Sequence, residues 1–307
     1  MKRIILYRTG LLLAVLAVLF QGCNKDNDQE LKDQEMRLLQ QYLDDNNITQ
    51  EPTASGLYYI PITEGNGNMA GTNYWADFNY ATKLVDGTYI FTSYEDVAKE
   101  YNLYREGVMY GPVRLLIGQT SIPGLNEGLA MMREGGISTM IMPSDINGLG
   151  ENSTEFSPPY STHIYTVELV HAFDDPEAFQ TTQIINYLNE QGIEDPLITE
   201  SGLYYIEQEA GIGEQIKDGD IVDLWYTGTF LDGREFDSNV GGTVMTVDMP
   251  AQGYIPGWGE AIKLMKLGTR AKVIIPYQLG YGASQSGPIP PYMTLVFDIE
   301  IDDVIPL

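Results

Sequence analysis

At 307 residues the chain is too long for one ordinary domain and comfortable for two. Its 17 Lys and Arg face 43 Asp and Glu, a formal net charge of -26, which excludes the basic footprint that nucleic-acid binding requires. Hydrophobic residues make up 43% and charged residues only 20%, so the chain has the composition of packed domains rather than of disorder. The single cysteine, Cys23, excludes an internal disulfide, and two histidines, His163 and His171, do not define a metal site.

In chain order, Lys2, Arg3 and Arg8 precede an apolar run from Leu11 to Phe20, followed by Gln21-Gly22-Cys23. A basic start, a short apolar stretch and a small residue before the cleavage point read as a signal peptide over residues 1–22. The run is far shorter than the roughly 20 residues that span a bilayer. Gly22-Cys23 resembles the end of a bacterial lipobox, in which Cys23 is lipidated and becomes the mature N-terminus; Phe20 and Gln21 depart from the commoner Leu-Ala/Ser. A plain secretory signal with an incidental cysteine is the other reading. Residues 23–32 form an acidic tether, which either resembles the surface-export signals of Bacteroidetes envelope lipoproteins or is simply solvated linker.

A helix is expected over residues 33–50, with Leu39, Tyr42 and Leu43 on one face. Then Ser55-Gly56-Leu57-Tyr58-Tyr59-Ile60 recurs unchanged as Ser201-Gly202-Leu203-Tyr204-Tyr205-Ile206, 146 residues later. Asp86-Gly87 matches Asp232-Gly233, Ile122-Pro123-Gly124 matches Ile255-Pro256-Gly257, and Pro158-Pro159 matches Pro290-Pro291. The first copy carries an insertion around 94–110. A second, linker helix, with Ile184, Tyr187 and Leu188 in line, is expected over 175–196. The fold class is therefore α+β: two tandem domains over 51–174 and 197–307, each a curved antiparallel sheet wrapped on a short helix and each preceded by a helix. In the second copy the short helix is expected over Gly259 to Leu267, and in the first the core is Met-rich, with Met131, Met132, Met140 and Met142.

Three ordered motifs of the second copy resemble the FKBP-type peptidyl-prolyl cis-trans isomerases. DGDIVDLWYTGTFLDGREFDSN (Asp218 to Asn239) is similar to the family's strand, Tyr-Thr-Gly turn and Phe-Asp-Ser segment. IPGWGEAIKLMKLGTRAKVIIP (Ile255 to Pro276) resembles its helix with the tryptophan, and LGYGASQSGPIPPYMTLVFDIEI (Leu279 to Ile301) its flap and last strand. The resemblance implies catalytic roles for Tyr226, Asp237 and Tyr281, and a prolyl pocket lined by Phe236, Ile255, Trp258, Ile289 and Phe297. Trp258 would form the floor, Asp237 would orient Tyr226, and the Ile255 N–H and Tyr281 hydroxyl would hold substrate carbonyls. Met245 stands where a phenylalanine is common and Tyr254 where a valine is usual, so both bear on substrate preference.

The chemistry needs no nucleophile, metal or cofactor, because rotation about the C–N bond makes and breaks no bond to a side chain. An aromatic, largely dry pocket favours the twisted amide, and fixed donors hold the flanking carbonyls. In the first copy Tyr80 keeps the position of Tyr226, but Ile90-Phe91 replaces Phe236-Asp237, Leu125 replaces Trp258, Leu149 replaces Tyr281 and Ser157 replaces Ile289. Late in the domain, only Tyr165, opposite Phe297, keeps an aromatic. The first copy is thus expected to be catalytically silent. The expected whole is an isomerase assisting exported proteins, acting on proline-containing polypeptides and held in the cell envelope at the outer membrane by a lipid anchor. A non-catalytic chaperone, or a scaffold within an envelope protein complex, is the alternative.

Overall fold

The computed structural model describes residues 27–306. The signal peptide over 1–22 and the lipidation candidate Cys23 lie outside the described residues. The chain divides into two units, one ending at Asp174 and the other running from Asp175.

The first unit opens with helix α1 (27–45). It starts at least six residues earlier than the polar sequence suggested, so 27–32 are helical rather than an extended tether. A Gln29–Asp33 side-chain bond one turn apart supports this segment, and Lys32 reaches Asp145 at 2.7 Å. The helix stops at 45, short of the expected 50. Asn47 takes a positive φ of 53°, and Ile48 N–H bonds back to Leu43 O at 2.9 Å, the hydrogen-bonding of a left-handed C-terminal cap.

The strands follow as β1 (Tyr58–Thr63), β2 (Trp75–Leu84), β3 (Tyr89–Thr92), β4 (Val113–Leu116), β5 (Ile137–Met142) and β6 (His163–Phe173). Helix α2 (Glu95–Glu100) lies within the insertion, and α3 (Pro123–Ala130) precedes β5. The sheet is antiparallel in the order β1-β5-β6-β2-β3, with β4 also on β2. Its two faces are read from β5, where side chains alternate. Met140 and Met142 pack with Leu125 and Leu129 of α3, while Ile141 between them joins Ile164, Leu39 and Leu43 of α1. Full burial of each such leucine stabilises by about 1.5–3 kcal/mol. Met131 is a correction: it caps α3 with 40% of its surface exposed, and only Met132, Met140 and Met142 are core.

The second unit repeats this plan. It contains α4 (Pro176–Glu190), β7 (Leu197–Ile198), β8 (Tyr204–Glu209), β9 (Ile221–Phe230), β10 (Glu235–Ser238), β11 (Met245–Asp248), α5 (Pro256–Lys263), β12 (Arg270–Ile275) and β13 (Leu295–Ile305). The order β10-β9-β13-β12-β8-β7, with β11 on β9, is that of the first unit plus the two-residue β7. Helix α4 ends at Glu190 rather than 196, and Ile184 packs on Ile274 and Val296 of this unit's sheet. Its cap copies that of α1, with Gly192 at a φ of 64° and Ile193 N–H bonded to Leu188 O at 2.9 Å. Helix α5 begins three residues before the expected start because Pro256, with its preset φ, suits the first helical turn.

The repeated hexapeptide makes the same turn twice. Thr53 N–H bonds Leu57 O at 2.8 Å, as Thr199 N–H bonds Leu203 O at 3.0 Å. Ser201 then donates to Glu260 of α5 at 2.7 Å, and Ser55 donates to Glu127 of α3 in the same way.

Candidate active site

The site of the second unit is built on β9 and β13. Phe297 and Asp237 pair with the same residue, Gly228, from opposite sides. A Cβ at Gly228 would stand 2.7 Å from the Phe236 ring and 2.9 Å from the Phe297 ring, so only glycine lets these rings close over the strand. Asn239 fixes the bend after β10: its Oδ1 accepts the Tyr226 N–H at 2.7 Å and its Nδ2 donates to Leu224 O at 3.0 Å.

Four rings enclose the space so formed. Trp258, in the first turn of α5, is 5% exposed. Tyr226 and Phe297 each meet it at 5.2 Å between centroids, at 90° and 68°, and Phe236 meets Phe297 at 5.5 Å and 85°. Such edge-to-face pairs stabilise by about 0.5–1.5 kcal/mol beyond their burial and set the rings at fixed angles. The cavity has a volume of about 480 Å³, lined by Tyr226, Phe236, Asp237, Met245, Tyr254, Ile255, Trp258, Tyr281 and Phe297. Gly253, Pro256 and Gly280 complete it and had not been singled out in the sequence. Ile289 is the exception among the expected lining residues. It is buried but is not among the residues lining this cavity, and its N–H and C=O close a tight turn with Ser286 at 2.9 and 3.0 Å.

The polar groups sit at one side of this apolar space. The Tyr226 hydroxyl donates to Asp237 Oδ2 at 2.6 Å. Burial pushes the Tyr226 phenol well above its ordinary value, and the bonded Asp237 carboxylate pushes it further, so it stays a protonated donor. Tyr281 is 40% exposed at the mouth. The Ile255 N–H, just before α5, finds no acceptor among the described residues.

Size alone would nominate another cleft. One of about 600 Å³ runs beside α1 in the first unit, past Leu38, Tyr42, Val85 and Pro159. It holds none of the residues that carry the family motifs, so the smaller aromatic cavity is the better candidate.

Residues 213–302 match the family described as FKBP-type peptidyl-prolyl cis-trans isomerase. The matched stretch lies wholly within the second unit. FkpA of Escherichia coli K12, an FKBP-type peptidyl-prolyl cis-trans isomerase, is 41% identical over 121 residues, 39% of this chain and 43% of that protein. The FKBP-type 22 kDa isomerase of the same organism is 37% identical over 123 residues, 39% of this chain and 59% of that protein. The chain thus spans less than two thirds of the length of either relative. Among solved structures, E. coli FkpA matches 42% of this chain and 61% of its own at 39% identity, with a TM-score of 0.38. The three FKBP domains of wheat FKBP73 match 83% of this chain and 97% of their own at 18% identity, with a TM-score of 0.35.

Strand register aligns the first unit to the second residue by residue. Thr82 pairs with both Phe91 and Tyr165, as Gly228 pairs with Asp237 and Phe297. Ser93 bonds Tyr80 as Asn239 bonds Tyr226. Tyr80 is retained at the position of Tyr226, but the side chains around it differ. Ile90, 1% exposed, replaces Phe236, and buried Thr82 takes the space that Gly228 leaves open. Leu125 is core. Phe91 meets Phe156 edge-on at 6.3 Å, and Arg105 of the insertion lies over Phe156 and pairs with Glu155 at 3.2 Å. Tyr80 instead stacks on Tyr165 at 5.9 Å.

Proposed function

We propose that the second unit catalyses cis-trans isomerisation of Xaa-Pro bonds in polypeptides and that the first unit is catalytically silent. The observation that carries this reading is the Trp258-floored aromatic cavity with the Tyr226–Asp237 pair at its side.

The barrier to rotation is about 18–20 kcal/mol and comes from amide resonance, which gives the planar amide its charge separation. A prolyl ring resting on Trp258 leaves water for an apolar environment, where the less polar twisted amide is favoured over the planar one. Ile255 N–H and the Tyr281 hydroxyl supply donors to the flanking carbonyls, and Asp237 keeps Tyr226 from rotating into the ring's space. The site performs this with positioning alone; no group is required to transfer a proton or form a bond.

The substrates are proline-containing segments of exported proteins, and the chain is a lipoprotein anchored through Cys23 in the cell envelope, at the outer membrane. The basic-apolar start and Gly22-Cys23 support this part. Globomycin-sensitive processing together with protease accessibility in intact cells tests it; a chain processed normally under globomycin would contradict it.

For the activity, a protease-coupled assay on a proline tetrapeptide compares the full chain with Asp237→Ala and Tyr281→Phe. Acceleration that falls in both variants is expected. No acceleration, or acceleration indifferent to both changes, would sink the reading. A second reading, a binding chaperone or a scaffold within an envelope complex, is favoured by the filled pocket and the insertion of the first unit. Suppression of client aggregation that survives both variants would support it.

A further inference from the structure

Helix α1 carries more apolar surface than its core needs. Leu39 and Leu43 pack on the sheet, while Leu31, Leu38 and Tyr42 form a second stripe beside them. Leu38 is 44% exposed. That stripe, with Val85, Pro159 and Tyr160 opposite, lines the cleft of about 600 Å³ in the first unit. From Leu31 to Asp45 the helix borders the cleft over about 21 Å, more than one side chain covers.

The second unit shows what fills the same place there. Glu35 and Gln180 correspond, because they accept from the paired Thr162 and Thr294. Tyr160 and Tyr292 correspond too, at φ values of 51° and 56°. The second unit therefore has half-buried Phe179 where Gln34 lines the cleft, and half-buried Met293 where Ser161 does. A ring and a thioether have given way to an amide and a hydroxyl.

A cation is missing as well. Asp232 accepts the Arg234 N–H at 3.1 Å and pairs with its guanidinium at 2.8 Å. Asp86 accepts the Thr88 N–H at 2.9 Å in the same turn, but Thr88 stands in the place of Arg234 and brings no charge. Asp86 and Asp45 both line the cleft and are exposed, and among the described residues neither has a salt bridge. Lys32, over the Tyr160 ring at 5.8 Å, is already paired with Asp145.

We propose that this cleft is a docking site for a polypeptide segment of a partner that carries bulky apolar side chains beside Lys or Arg. The apolar side chains enter the space that Phe179 and Met293 occupy in the other copy, and the basic residues meet Asp86 and Asp45. The inference goes beyond the isomerase reading and holds whether or not the second unit turns over proline.

The test is fluorescence anisotropy of the full chain with three labelled peptides that contain no proline. The first is Gly-Lys-Phe-Leu-Met-Arg-Gly; the second has Glu for its Lys and Arg, and the third Ser for its three apolar residues. The first is expected to bind at least tenfold more tightly than either other, less so as salt is raised. Gln34→Phe with Ser161→Met, which copies the second unit, is expected to weaken that binding by roughly tenfold or more. Asp45→Asn with Asp86→Asn, both on the surface, is expected to weaken it by roughly two- to fivefold and to flatten its salt dependence. If the refilled variant does not fold, the asparagine variant decides alone. Absence of binding, equal binding of the acidic peptide, or affinity and salt response unchanged in the folded variants would overturn the proposal. A wild-type dimer that these variants dissociate would assign the cleft to a second copy of the chain and overturn it too.

Discussion

Glu35 and Gln180 do the same work in the two units. The buried Glu35 carboxylate of α1 accepts from Ser144 N–H at 2.7 Å, Ser144 Oγ at 2.6 Å and Thr162 Oγ1 at 2.9 Å. Gln180 of α4 accepts from Tyr277 N–H at 2.6 Å and Thr294 Oγ1 at 3.2 Å, and donates to Gln278 at 3.0 Å. Each thus pins its helix to the segment after the third long strand and to the start of the last one. The duplication has been kept at a polar contact as well as in the core.

Glu35→Ala leaves three buried donors without an acceptor, and each costs about 1–3 kcal/mol when unsatisfied. The first unit should lose several kcal/mol of stability. Faster amide exchange in β5 and β6 of the variant, with β12 and β13 unchanged, is the expected result.

His163 sits where the second unit has Leu295, as the pairings with Leu84 and Phe230 show. It is 1% exposed; Nε2 bonds the Ser157 hydroxyl at 2.8 Å, and Nδ1 has no partner among the described residues. Burial lowers its pKa from 6.5 to about 4. A depressed folded-state value means that the neutral ring is favoured in the fold. The first unit's stability is therefore full above pH 6.5 and falls as pH drops through 6.5 toward 4, by roughly 3 kcal/mol at the limit. His163→Leu should remove that acid-side decline, which unfolding measured against pH will read.

Gly228→Ala should destabilise the second unit by about 1–3 kcal/mol, because the added Cβ overlaps the Phe236 and Phe297 rings. The rings must move apart, so isomerase activity should fall more than stability requires. Comparing kcat/KM with the unfolding midpoint at one temperature checks this.

Much of this was legible in the sequence, and the reason is local repetition. The hexapeptide, the paired glycines and the Ile-Pro-Gly helix starts mark two copies because each encodes a turn or cap that its own neighbours determine. The candidate pocket residues were named through the three motifs, and the register of β9 with β10 and β13 brings four of them, Tyr226, Phe236, Asp237 and Phe297, together. The misses involve distant partners. Nothing beside Glu35 tells that Ser144 and Thr162, 109 and 127 residues away, will bury it. The start of α1 was hidden because residues 27–30 have no apolar stripe to reveal a helix. Ile289 reads as a pocket residue by motif, whereas the backbone turn it closes with Ser286 is set by the flap and is not marked in the motif.

The central claim is that one of two like-built units holds a working prolyl pocket. It is tested most directly by exchange on a proline tetrapeptide with three full-length proteins: wild type, Trp258→Leu and Tyr80→Phe. Trp258→Leu gives the second unit the floor residue that Leu125 supplies in the first, and Tyr80→Phe alters only the first unit. The account predicts that catalysis is lost in Trp258→Leu and unchanged in Tyr80→Phe. Activity that survives Trp258→Leu, or that disappears in Tyr80→Phe, would contradict it.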